Sequence, residues 1–191
     1  MKFVKQSLPD VLVIEPMLHG DERGYFMETF RQDLLEKEVG YQVNFIQDNE
    51  SKSSKGVLRG LHYQLPPFAQ SKLVRVIEGQ VLDIAVDIRV GSPTYGHHIA
   101  IELTGENKKQ VFIPHGFAHG FVVLSDFALF AYKVDNLYSP NHDRGISFED
   151  RALAIDWLLP RAELKLSEKD KNQPLFKDVE TGFKFDVDYH D

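Results

Sequence analysis

Cysteine is absent from the sequence. That excludes disulfides, thiol nucleophiles and cysteine-ligated metal or iron–sulfur centres, and it fits a reducing compartment. Long hydrophobic runs are also missing, and no stretch approaches the roughly 20 apolar residues of a membrane span. The N-terminal MKFVKQSLPDVLVIEP has an apolar run too short for the core of a signal peptide. A soluble cytoplasmic protein without a membrane partner is expected. Positive charge is scarce: 22 Lys and Arg stand against 29 Asp and Glu, a formal net charge of −7. Phosphate neutralisation along a nucleic acid needs clustered cations, so no nucleic-acid partner is expected. A small anionic ligand stays open wherever a few Arg and Lys converge. Repeats, low-complexity tracts and flexible linkers are missing too. With 191 residues and 42% hydrophobic content, one core can form, and a single domain over residues 1–191 is expected.

What is present is a series of short strands. Residues 81–88, VLDIAVDI, alternate: Leu82, Ile84, Val86 and Ile88 point one way, Asp83 and Asp87 the other. That period of two predicts a half-buried strand. Further strands are predicted at 11–15, 24–30, 43–49, 56–64, 72–78, 98–103, 110–113, 119–124, 128–134 and 145–148. Glycines and prolines punctuate them at fairly even spacing, as in an all-β sandwich or barrel. Gly79-Gln80 predicts a hairpin turn with Gly at its first central position. Helix is confined to the periphery: one at 32–39, capped by Gly40, and a helical region over 162–172. The expected fold is all-β, a jelly-roll (cupin-like) double-sheet barrel with short peripheral helices.

Metal-binding barrels of the cupin type carry two sequence blocks that supply three histidines and a glutamate. The second block is readable in Pro114-x-Gly116-x2-His119. In the first, His62-Tyr63-Gln64 replaces His-x-His, and Lys72 stands where the glutamate would be. An ammonium beside a divalent ion is electrostatically unfavourable, and metal sites need neutral or deprotonated donors in fixed number. No metal is expected. A neutral imidazole can instead take a proton, and a lysine can hold an oxygen that becomes negative. His62 with Lys72 therefore suits proton abstraction beside a carbonyl. Period-two geometry places Gly60, His62 and Gln64 on one strand face. Ser167-Glu168-Lys169-Asp170 reads as a helix capping box. Asp170 is open to two readings, a cap or a carboxylate partner for an imidazole. Tyr132 alternates with Phe130 and Val134, and fits either core packing or a proton donor. Arg23 and Arg59 have the guanidinium fork that matches phosphate oxygens. Gln47 and Asn49 form a polar pair for a base or sugar, and Tyr138 could stack on a planar ring.

Taken together, these segments resemble the dTDP-4-dehydrorhamnose 3,5-epimerase family. The resemblance spans roughly residues 21–174. It rests on D-x-RG-x-F (21–26), Q-x-N (47–49), G-x-LRGLH-x-Q (56–64), Gln70-Ser71-Lys72, IP-x-GFAHGF (113–121), the 132–140 segment, Ile155-Asp156-Trp157 and SEKD (167–170). It implies His62 as general base with Asp170 as its partner, Tyr132 as general acid and Lys72 on the C4 oxygen. It implies Arg23, Arg59 and His119 on the diphosphate or nearby sugar oxygens. It places Glu28, Gln47 and Asn49 on the nucleoside, with Phe26 and Tyr138 stacking near thymine. The implied substrate is dTDP-4-keto-6-deoxy-D-glucose, the partner a second copy of the chain, and no cofactor is used. The sequence departs from the family pattern at Trp157-Leu158, at His97-His98 and at Asp143, where a glutamate is common. Two alternatives stay open beside the double epimerase. One is a single-position epimerase or ketoisomerase, the other a non-catalytic sugar-nucleotide binding barrel.

Overall fold

A computed structural model describes residues 1–189. Two antiparallel sheets face each other. One has the order β1 (Lys2–Lys5), β2 (Leu12–Glu15), β10 (Gln110–Ile113), β7 (Lys72–Glu78), β12 (Phe127–Val134) and β5 (Gln47–Ser54). The other has the order β13 (Asp143–Gly145), β6 (Leu58–Gln64), β11 (Phe117–Val123), β8 (Gln80–Asp87) and β9 (His98–Thr104). A separate hairpin is made by β3 (His19–Asp21) and β4 (Gly24–Phe26). The architecture is the cupin-like jelly roll expected from the strand spacing.

Apolar side chains bury three surfaces. Val74, Val76, Ala85, Phe121 and Phe130 fill the space between the sheets. Leu58, Ile84, Val86, Trp157 and Phe183 pack on the outer face of the β6–β11–β8 sheet. Leu12, Ile14, Leu73 and Phe112 pack under Leu35 of α1 (Gln32–Val39) and under Val43. This helix has its predicted bounds. Gly40 ends it in the left-handed region at φ 87°, and its N–H donates to the Glu36 carbonyl at 2.8 Å.

Several local expectations are corrected. β8 alternates as predicted but is buried on both faces, with Asp83 and Asp87 1% and 0% exposed. Its polar face turns inward, towards the space between the sheets, and not to water. Gly79 is no hairpin turn: β7 pairs with β10 and β12, whereas β8 pairs with β9 and β11. The chain crosses from one sheet to the other there. Gly79 sits at φ 86°, and a Cβ would run into the Phe127 carbonyl. Local sequence encodes a tight turn, but the pairing partners decide what the turn joins. The strand expected at 43–49 starts only at Gln47 and runs to Ser54. QDNESKSS has no apolar alternation, because β5 is an edge strand paired only to β12. The helical region at 162–172 reduces to a 3-10 turn (Arg161–Glu163) and the four-residue α2 (Glu168–Lys171). The strand expected at 145–148 lies earlier, as β13. No helix among the described residues is long and apolar enough to cross a membrane.

Candidate active site

The cavity between the sheets opens beside β6, β7, β11 and β12 and has a volume of about 290 Å³. Arg59, His62, Lys72, His119, Tyr132 and Tyr138 line it, together with Asn49. A regular strand would put Arg59 and His62 on opposite faces, because they are three apart. An irregularity resolves this. His62 pairs with His119 and Arg59 with Phe121, so β6 carries one residue more than β11 across the same interval. Such a bulge re-aims side chains. Gly60 sits in it at φ 126°, where an added Cβ would come within 2.5 Å of Gly120 Cα. Gly60 therefore does not simply share a face with His62, as strict alternation would have it. It lets Arg59 do so.

Two imidazoles are each set on a carboxylate. His62 Nε2 and Asp170 Oδ1 are 2.5 Å apart. The other oxygen of Asp170 accepts from Ser167 Oγ at 2.7 Å, while the Asp170 N–H donates to the same Oγ at 3.1 Å. Ser167 is thus both helix cap and support for the carboxylate, so the two readings of this motif are compatible. Burial acts to raise the Asp170 pKa, but hydrogen bonds and charge from His62, with Ser167, outweigh it and hold the carboxyl below its usual range. The second pair is His119 Nε2 on Asp83 Oδ2 at 2.8 Å, with these residues 7% and 1% exposed. Asp83 was not singled out from sequence. Its signal was an acid on the polar face of a strand that carries apolar residues at every alternate position.

Lys72 lies at the start of β7, half-buried, with no ion pair among the described residues. Burial draws its pKa down from the ordinary lysine value to about 8, against the raising influence of Asp143 and Asp83. Among the described residues Arg59 donates only to Ser53 Oγ, at 3.2 and 3.3 Å. Two cations without carboxylate partners among the described residues, in one cavity, make it receptive to an anion. Tyr132 projects from β12, in the sheet opposite His62. Burial raises its pKa, and the charge of Arg59 acts against that. Its hydroxyl bonds to no other described residue. Gln64 stands where the second histidine of a metal-binding block would be. Its amide is spent on the loop below Tyr138, accepting from Ser139 N at 2.6 Å and donating to the Phe68 and Leu137 carbonyls. Among the described residues no group of three or more His, Asp or Glu side chains is placed to hold a metal ion.

The remaining residues singled out from sequence lie outside this cavity. Arg23 is exposed on the β3–β4 hairpin and bonded to Asp21. Phe26 is 67% exposed on the same hairpin. Glu28 meets Arg31 at 3.4 Å. Gln47 donates to Asn49 Oδ1 at 2.7 Å and so flanks the cavity through that residue.

A cupin-like jelly roll whose central cavity joins imidazole–carboxylate pairs, a free lysine and a tyrosine belongs to the barrels that carry out acid–base chemistry. The chain belongs to the dTDP-4-dehydrorhamnose 3,5-epimerase family, which it matches over residues 5–178. It is thus an isomerase of the epimerase kind. A dTDP-4-dehydrorhamnose 3,5-epimerase of Shigella flexneri is 54% identical over 180 residues, covering 94% of this chain and 98% of the relative. Among solved structures, dTDP-6-deoxy-D-glucose-3,5-epimerase RmlC of Legionella pneumophila, in complex with dTDP-4-keto-L-rhamnose, superposes with a TM-score of 0.93 at 45% identity. That match covers 97% of this chain and 99% of the other. ChmJ, a 3'-monoepimerase of Streptomyces bikiniensis in complex with dTDP-quinovose, superposes with a TM-score of 0.84 at 31% identity, covering 91% and 87%.

Proposed function

We propose that the chain converts dTDP-4-keto-6-deoxy-D-glucose to dTDP-4-keto-L-rhamnose by inverting C3 and C5. The observation that carries this reading is the placement of proton-handling groups on opposite walls of one cavity, His62 on one sheet, held by Asp170 of α2, and Tyr132 on the other. Both carbons flank the C4 ketone, so loss of either proton gives an enolate. With Nε2 on Asp170, the His62 Nδ1 is the nitrogen left to take the C–H proton. Charge moves onto the C4 oxygen, where the Lys72 ammonium donates a hydrogen bond. At C5 the Tyr132 phenol returns a proton to carbon from the far face, which inverts the centre, and is itself reprotonated from solvent; at C3 solvent supplies the returning proton. His62 releases its proton before the second carbon is processed.

Arg59 and His119 hold diphosphate or sugar oxygens, Asn49 and Gln47 the nucleoside, and Tyr138 stacks on the base. Arg23, Phe26 and Glu28 fit the same ligand if the active species is a homodimer. The hairpin that carries Arg23 and Phe26 then reaches the partner's cavity. Its exposed Tyr25 and Phe26, with the neighbouring Met17 and Leu18, support that reading. The reaction needs no cofactor, and it takes place in the cytoplasm.

The test is proton NMR of the purified chain with dTDP-4-keto-6-deoxy-D-glucose in D2O, followed by reduction and stereochemical analysis. Exchange and inversion at both carbons are expected. Exchange at one carbon only would place the chain with single-position enzymes such as the Streptomyces relative. Binding without exchange would leave a sugar-nucleotide binding barrel.

A further inference from the structure

Lys72 shares its cavity with Asp143, Lys169 and His119, the last held by Asp83, and each of these charges is bonded to a partner other than Lys72. Asp83, on β8 in the facing sheet, accepts from His119. Asp143, on β13 at the cavity mouth, is ion-paired to Lys169 of α2 and accepts from the Tyr138 hydroxyl at 2.9 Å. Asp143 and Lys169 line the same cavity as Lys72. A carboxylate bonded directly to Lys72 would keep it charged but would occupy its N–H donors. Carboxylates tied to other partners favour the ammonium through space and leave those donors for a ligand oxygen.

We propose that Asp83 and the Asp143–Lys169 pair are positioning residues that set the charge of Lys72, the two acids favouring the ammonium and Lys169 opposing it. This rests on the reading of Lys72 as the contact to the enolate oxygen. The same directions appear in the balance at Lys72, where burial lowers its pKa, Asp143 and Asp83 raise it, and Lys169 lowers it. Other charged or titratable groups face the cavity as well. Arg59 and His62 come from β6, His119 from β11, Tyr132 from β12 and Glu50 from β5. Behind the start of β7, Asp135 accepts from Ser71 N at 2.7 Å. None of these distinguishes Asp143 from Lys169, which stand together at one place with opposite charge. That pair provides the test.

The experiment is an NMR titration of the Lys72 side chain (13Cε and 15Nζ) in the full chain without ligand, assigned with Lys72→Met. It is repeated in Asp143→Asn, Lys169→Met and Asp83→Asn. The titration is expected to move to lower pH in Asp143→Asn and Asp83→Asn and to higher pH in Lys169→Met. The basic limb of the kcat profile follows in the same directions. A purely structural role would lower activity at every pH and leave the Lys72 titration in place. Asp83 is buried and its variant can fail to fold; the mouth pair then decides alone. An unmoved titration in both mouth variants, or movement in one common direction, would overturn the proposal. Because the titration is read without substrate, it stands apart from the epimerase reading. A moving titration in a chain that exchanges no keto-sugar proton would uphold the electrostatics and remove the assigned reaction.

Discussion

Lys72 sets stability against chemistry. With a pKa near 8 in the fold and an ordinary value of 10.5 outside it, the lysine binds a proton more readily when the chain is unfolded. Its charge therefore opposes folding fully below pH 8, and less so as pH rises towards 10.5. Lys72→Met is expected to raise the unfolding temperature at pH 7 by more than at pH 10. Equal gains at both values would mean that burial of the charge is not the cause. The same substitution removes a donor from the enolate oxygen, and kcat should fall by about 10²–10³. In the intact protein the ammonium form is lost as pH passes about 8, so turnover should decline on that side. His62→Ala should abolish turnover; activity close to wild type would remove the base from His62. Tyr132→Phe should spare exchange at one carbon more than inversion at both, and equal loss at both would count against its role as the opposite-face acid. None of these side chains is unusual as a residue. Each matters through what faces it, and that was unreadable for Asp83, 36 positions from the histidine it holds.

At the scale of elements, the parts of the fold legible in the sequence are those with strong local chemistry. Helix α1 was readable because its bounds are marked by a first-turn acid and a left-handed glycine. Gly40→Ala should cost about 1–2 kcal/mol, since the residue needs positive φ; a neutral result in denaturant unfolding would show that the helix end can rearrange. Strands β7 and β10 coincide with their predicted bounds, as both have apolar runs buried by neighbours on each side. Strand β5 was misplaced because its stability comes from pairing with β12 and not from its own polar side chains. The bulge in β6 was invisible too, since it depends on how β6 registers against β11. The inner core shows the same dependence. Phe130, 1% exposed, stacks on Phe121 with ring centroids 4.2 Å apart and backs the ring of His119 at 6.3 Å. Phe130→Ala should cost about 3–5 kcal/mol. If the site can collapse around the gap, the measured loss in thermal unfolding will fall well below that range.

At the scale of the whole molecule, the β3–β4 hairpin stands apart from the two facing sheets. Arg23 and Phe26 stand outside the cavity of their own chain, and in the proposed homodimer a second copy brings them to it. Analytical ultracentrifugation should give a dimer. Mixing Arg23→Ala with His62→Ala chains should restore activity, because exchange of subunits would make about a quarter of the sites fully wild-type. No recovery after verified exchange would show that each hairpin serves its own chain, or none. By itself the sequence determined the class of fold and most of its strands, since period-two patterning and turn residues act locally. It also carries the reactive residue types, with Lys72 and Gln64 standing where a metal-binding block has glutamate and histidine. The tertiary structure alone decided that Gly79 joins two sheets, that the acidic face of β8 points inward, and that Asp83 reaches a histidine 36 positions away, whereas the pairing of Asp170 with His62 follows already from the family resemblance. Those outcomes depend on sheet pairing and register, which arise from contacts between distant segments and leave no local pattern to read.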